Sequence, residues 1–179
     1  MSDTSHTLPI MNFDVSHSEP WQPSIGELSR PLSSTVFVVL DLETSGGSPS
    51  IESLLPSFLE FLGPASEKIL VAHNANFDLG FLKAAASHYN YRWPRFKIFD
   101  TVRLARSILS KDDVSDFKLS TLSAYFQTLT SPSHRALDDA RATVEVLHGI
   151  FERFGSIDIT TVEDVEAFTL RLKRQKASD

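Results

Sequence analysis

Apolar residues fall along this chain in short unbroken runs and in stretches of helical spacing. Val36-Phe-Val-Val-Leu40 is such a run, and a Val-rich run of this length reads as a strand buried on both faces. From Ile51 to Leu62 the residues Ile51, Leu54, Leu55, Phe58, Leu59 and Leu62 recur at helical spacing, and Gly63 and Pro64 stop the helix. Lys68 to His73 predicts a second buried strand. Strand, helix, strand in that order predicts a right-handed βαβ unit with two parallel strands. A helix is expected from Asp78 to about Tyr89, with Phe81, Leu82, Ala85 and Ala86 as its apolar stripe. Arg95 to Phe99 predicts a third strand, after which Asp100 or Thr101 can cap a helix through Leu109. A short helix covers Leu119 to Phe126. A long one runs from about Ala136 to Phe154, with Leu137, Ala140, Val144, Leu147 and Phe151 as core residues. Thr160-x-x-Glu163 reads as a capping box opening a last helix to about Leu172.

The pattern divides the chain into a tail over 1–34, a domain over 35–155, and a helix with a basic tail or linker over 156–179. The first stretch holds four of the nine prolines and eight serines, and such a segment buries too little apolar surface to offset its ordering entropy. Its Phe13 and Trp21 are expected to be loosely held. The basic run Arg171 to Lys176 reads as a solvated face, a contact to a phosphate backbone, or the start of a linker. The hydrophobic fraction of 41% suffices for one core. A net charge of -6 argues against a broad electrostatic grip on nucleic acid. It leaves room for a small site that handles phosphates through metal ions. Cysteine is absent, which excludes disulfides, thiolate ligands and a thiol nucleophile. Any metal would be held by Asp, Glu and His, which favours a hard ion such as Mg²⁺ or Mn²⁺. No apolar run approaches the roughly 18 residues of a membrane span and no signal-peptide pattern is found. A cytoplasmic location without membrane contact is the expectation.

The chemistry-bearing residues sit where these elements end. Asp41 and Glu43 follow the first strand two residues apart, so they share a face at its carboxyl end. Ligands of open α/β sheets bind at that end. Paired carboxylates repel and lose hydration when partly buried, and a divalent cation relieves both costs. Gly46 and Gly47 then let the chain turn sharply. The second strand leads into His73-Asn-Ala-Asn-Phe-Asp78, and Asp78 at a strand end parallel to the first falls beside Asp41 and Glu43. Asp112, Asp113 and Asp116 read as a solvated loop. Taken singly, each acid has a plain structural explanation. Asp78, Asp138 and Asp139 all suit a helix N-terminus, and a lone His134 on a loop is usually a surface residue.

Together, Asp41-Leu-Glu43-Thr44, His73-Asn-Ala-Asn-Phe-Asp78 and His134-Arg-Ala-Leu-Asp-Asp139-Ala resemble the motifs of the DEDDh 3′–5′ exonucleases. The match is closest to the branch of the epsilon proofreading subunit of DNA polymerase III, including versions fused to a GIY-YIG nuclease domain. The resemblance implies an α/β, ribonuclease H-like exonuclease fold, a parallel-strand core flanked by helices. It implies that Asp41, Glu43 and Asp139 hold one divalent metal. Asp41 would also reach a second, supported by Asp78, with Mg²⁺ or Mn²⁺ as the ions. His134 would deprotonate the attacking water. Leu42, Thr44 and the nearby backbone would contact the terminal sugar, and Asn74 would position substrate or tie strand to loop. Phe77 reads as core rather than as a stacking platform. The substrate implied is a single-stranded or frayed 3′ end of DNA, with RNA as the alternative, and a polymerase or nuclease as partner.

One departure stands out. Only 34 residues separate Glu43 from Asp78, and the family's hairpin beside the first strand has no room there. With the usual second and third strands missing, the first strand becomes an edge. A long apolar edge invites pairing with another chain, so self-association through Val36 to Leu40 is expected, or impaired folding. The same loss admits a further alternative, an inactive exonuclease fold serving as a binding or scaffold module.

Overall fold

The computed structural model describes residues 29–43 and 50–175. Phe13, Trp21, Thr44, Gly46, Gly47 and Lys176 lie outside them. Strands β1 (Val36–Leu40), β2 (Lys68–Ala72) and β3 (Lys97–Asp100) form one sheet in that order. All pairings are parallel, with Leu40, Ala72 and Asp100 in one row across the carboxyl ends. Helix α1 (Ile51–Leu62) links β1 to β2, and α2 (Ala75–His88) links β2 to β3. Then come α3 (Thr101–Ile108), α4 (Leu119–Phe126), α5 (Ala136–Gly155) and α6 (Val162–Gln175). Among the described residues this is the expected α/β architecture, a core of three parallel strands flanked by helices, and the short sheet fits the missing hairpin.

Strand parity sorts the core. Phe37, Val39, Ile69 and Val71 face one side, where they meet α3, α5 and α6 through Leu104, Val146, Ile150, Phe154 and Val162. Val38, Leu40, Leu70 and Ala72 face the other, against Leu62 of α1 and Leu79 and Leu82 of α2. Each such side chain, fully buried, is worth about 1.5–3 kcal/mol. Of β1 only Leu40 is buried and Val36 is 52% exposed. The expected two-sided burial fails because, among the described residues, β1 has a strand neighbour on one side alone. An open groove of about 680 Å³ runs along its free edge, between Phe58 and Phe61 of α1 and Ala140 and Val144 of α5.

That groove explains the misplaced stripe on α5. Leu137 is exposed, and Ala140, Val144 and Phe151 are half-buried beside β1. The inward face is Ala142, Thr143, Val146, Leu147, Ile150 and Phe154. The apolar period thus includes a face that the missing hairpin leaves uncovered. Gly149 allows α4 to come close, since a Cβ there would run into the ring of Phe126.

Other boundaries shift by a few residues. The second helix begins at Ala75, so Asp78 lies in its first turn rather than opening it. Its buried face is Ala75, Asp78, Leu79, Leu82, Ala85 and Ala86, while Phe81 is exposed. On α1, Leu54 points outward. β3 starts two residues late, after Pro94 and Phe96 have turned the chain. The last helix is capped one residue downstream of the expected box. Thr161 Oγ1 accepts from Asp164 N at 3.2 Å and donates to its carboxylate. Glu163 instead accepts the Arg30 N–H at 2.8 Å. Leu32 N–H donates to Thr160 O and Val162 N–H to Arg30 O, both at 2.9 Å. These bonds fasten the segment before β1 to α6, and α6 adds Val162 and Val165 to the core. Among the described residues no helix is long and apolar enough to cross a membrane.

Candidate active site

The three parallel strands release their chains at one end of the sheet, and the first residues beyond each strand carry the polar groups. Asp41 follows Leu40, His73 follows Ala72, and Asp100 closes β3. Asp41 has the parity of Val39 and so lies on the α5 side. Asp78 arrives from α2 on the other side and is 4% exposed. Its Oδ1 accepts the Leu42 N–H at 3.1 Å, which ties the end of β1 to the start of α2. Burial raises the Asp78 pKa, against the lowering effect of its own helix N–H and that of Leu42. The Leu42 side chain packs with the α1 and α2 core. Glu43 is exposed just beyond.

Asp41 carries the main electrostatic signal. Its pKa is pushed up to about 6, first by burial, then by the charges of Asp139, Asp78 and Glu43. Three of the sequence-expected carboxylates, Glu43, Asp78 and Asp139, thus lie close enough to act on the fourth, Asp41. Asp139, in the first turn of α5, accepts the Ser133 N–H at 2.9 Å. Its neighbour Asp138 is engaged by the Ser133 hydroxyl at 2.7 Å. Those two bonds clasp the loop that holds His134, which is exposed and has a left-handed φ of 58°. Of this pair, Asp139 is the one whose charge reaches Asp41.

Asn74 is exposed and left-handed, with φ of 66°, at the corner between β2 and α2. Its N–H donates to Asp100 Oδ1 at 3.3 Å. Phe77 is 59% exposed, contrary to its expected place in the core. The buried face of α2 runs through Ala75, Asp78 and Leu79, and Phe77 falls between them on the outer side. Thr44 lies outside the described residues.

Sequence reasoning gave His73 no role and expected Asp100 only as a possible helix cap, which it is; both also support this corner. His73 is half-buried, and its Nδ1 lies 2.9 Å from Thr101 Oγ1. Burial lowers its pKa, while Asp100, a bond to the Phe117 carbonyl and Asp139 act the other way. Asp100 caps α3 through the N–H groups of Val102 and Arg103 and also holds Asn74. The available signal was register, because a third parallel strand must end beside the first two.

Among the described residues no three His, Asp or Glu side chains stand together at metal-ligand spacing. The acids share a field rather than a finished coordination shell. Their chemistry nonetheless fits a hard divalent cation. The donors are carboxylate oxygens, and a cation would offset both the burial and the added repulsion that raise Asp41.

The model of the RNase T exonuclease family matches residues 43–147, more than half of the chain. The chain belongs to that exonuclease family. Its motifs and its relatives agree with the DEDDh type. A Mycobacterium tuberculosis protein named as a bifunctional exonuclease/endonuclease is 45% identical over 69% of this chain and 19% of its own length. A PolC-type DNA polymerase III of Caldanaerobacter subterraneus is 34% identical over 76% of the chain and 10% of its own length. The corresponding Thermotoga maritima protein is 38% identical over 65% and 8%. The chain thus spans less than a fifth of the curated relatives it matches. Exonucleases of this family typically work with divalent metals.

Proposed function

We propose that this exonuclease-family chain is a metal-dependent 3′–5′ exonuclease of the epsilon-like DEDDh type. It would remove nucleoside monophosphates from a single-stranded or frayed 3′ end of DNA, in proofreading or repair, in the cytoplasm. The observation that carries the reading is Asp41, raised to about 6 within a field of three other carboxylates. Structural carboxylates are usually paired with cations, and a partly buried acid surrounded by acids is costly unless it serves a site.

In this reading Asp41, Glu43, Asp78 and Asp139 hold two divalent cations, Mg²⁺ or Mn²⁺. Bound there, the cations supply positive charge against that developing on the phosphate and favour a nucleophile near neutral pH. His134 takes the proton of the attacking water at an imidazole nitrogen. The water oxygen would form a bond to phosphorus as the bond from phosphorus to the upstream 3′ oxygen breaks, and that oxygen would take a proton from solvent to leave as the new 3′ hydroxyl. The exposed loop position of His134 leaves the ring open to solvent and substrate, and an imidazole is the side chain most often used for such a proton transfer. Asp78 also positions Leu42, whose backbone, with Thr44, would meet the terminal sugar. Asn74 would place the strand, and the exposed ring of Phe77 can stack on a base rather than fill the core. A polymerase or a second nuclease module is the proposed partner.

The test is a 5′-labelled single-stranded DNA oligonucleotide with Mg²⁺ or Mn²⁺, beside a matched RNA. A ladder shortening from the 3′ end, lost on chelation, is expected, with the DNA cut faster. Faster cutting of the RNA would transfer the substrate to that class. The open β1 edge favours a second reading, an inactive fold used as a scaffold. Stabilisation by metal in a folded protein that yields no ladder would select it.

A further inference from the structure

Three cations line one groove on a chain whose net charge is -6. Arg103 and Arg106 of α3 and Lys173 of α6 border an open depression of about 350 Å³, with Asn76 of α2 at its rim. Among the described residues neither Arg103 nor Lys173 has an ion-pair partner. The Arg106 guanidinium stacks over the Phe117 ring at 5.4 Å, a contact that uses none of its N–H donors. Two acids, Asp100 and Glu166, line a neighbouring cavity together with Arg103. Asp100 receives the backbone N–H groups of Val102, Arg103 and Asn74. Glu166 receives Lys97 Nζ at 2.6 Å. Among the described residues no ion pair therefore cancels the charge of Arg103 or Lys173.

Its position relates it to the acidic site. Asn76 lies two residues before Asp78, and Arg103 two residues after Thr101, which holds His73. We propose that this groove binds the phosphate backbone of single-stranded nucleic acid upstream of the 3′-terminal nucleotide, a role that rests on reading the Asp41 cluster as an exonuclease site. The groove has no aromatic side chain in its lining. Bases therefore find no stacking platform there, and recognition is electrostatic and indifferent to sequence. The division of labour resolves a difficulty of the acidic composition, since a strand repelled by the chain as a whole needs a local positive track. It also gives part of the basic run at the C-terminal end, Lys173, a place in the fold.

The test is fluorescence anisotropy of a 5′-fluorescein oligothymidylate bound by the full chain in EDTA, between about 50 and 300 mM KCl. Three neutralised phosphates should make log Kd rise with log salt at a slope of about 2. R103Q/K173Q should lower that slope by about 1.4 and weaken binding roughly 10-fold at the lowest salt. R103K/K173R, which keeps both charges, should retain the slope. Equal affinity and slope in R103Q/K173Q and the unaltered chain overturn the proposal. So does a slope below about 1 in the unaltered chain, whatever the variants do. Degradation of the oligonucleotide with Mg²⁺ but no effect of R103Q/K173Q on binding refutes the groove alone. The expected slopes without degradation refute the catalytic reading alone.

Discussion

Replacing Asp41 with Asn should abolish cleavage and at the same time make the metal-free protein more stable. The Asp41 carboxyl moves from an ordinary 3.8 to about 6 on folding. A shift of about two units corresponds to roughly 3 kcal/mol at 1.36 kcal/mol per unit. Asp41 is half-exposed, so solvent screening reduces this to about 1 kcal/mol. The sign follows from proton uptake. Between pH 3.8 and about 6 the folded chain holds the Asp41 proton more firmly than the unfolded chain does. This group's contribution to stability therefore falls as pH rises through that window. Asn cannot ionise, and its amide can donate to Asp139, Asp78 or Glu43. At pH 7 in EDTA, Asp41→Asn should melt about 2–4 °C above the unaltered protein. Near pH 4 the difference should vanish. Added Mg²⁺ should stabilise the unaltered protein and leave the variant unmoved. Thermal melts at the two pH values decide it. A variant less stable at pH 7, or a gain of equal size at both pH values, would refute the account of Asp41 as an acid raised by burial and by neighbouring acids.

Four further outcomes follow from the same structure. His134→Ala should lower the cleavage rate by about 10²–10⁴-fold and leave oligonucleotide binding in EDTA intact, as read by single-turnover kinetics beside anisotropy. Asp78→Ala should cost about 1 kcal/mol of stability beyond its effect on cleavage, because the Leu42 N–H loses its acceptor, and urea titration measures this. Gly149→Ala should destabilise by about 1–3 kcal/mol although Ala is the better helix former, since its Cβ meets the Phe126 ring. The open β1 edge should mediate self-association that Val36→Lys, at an exposed position of that strand, weakens. Sedimentation showing a monomer at every concentration would end that idea.

Much of this protein is local, and local features are readable from residues alone. The unbroken Val36–Leu40 run, the Ile51–Leu62 period and the Leu119–Phe126 helix appear in the structure at their expected bounds. So does the edge position of β1, because a connection as short as the one after Glu43 has no room for a hairpin. Strand spacing also placed Asp41, Glu43 and Asp78 at one end of the sheet, whereas Asp139, on α5, was indicated by the motif resemblance alone. Other features required three dimensions. The buried face of α5 could not be separated from the face left bare along β1, because both are apolar and only the packing partner distinguishes them. Phe77 reads as core by its chemistry, yet the rotation of α2, set by burying Asp78 and Leu79, turns it outward. Nor could spacing show that Asp100 and His73 brace the site, or that Arg103 and Lys173 meet in one groove. Residues far apart in the chain become neighbours through the crossing of helices over a sheet, and that crossing is a property of the packed whole.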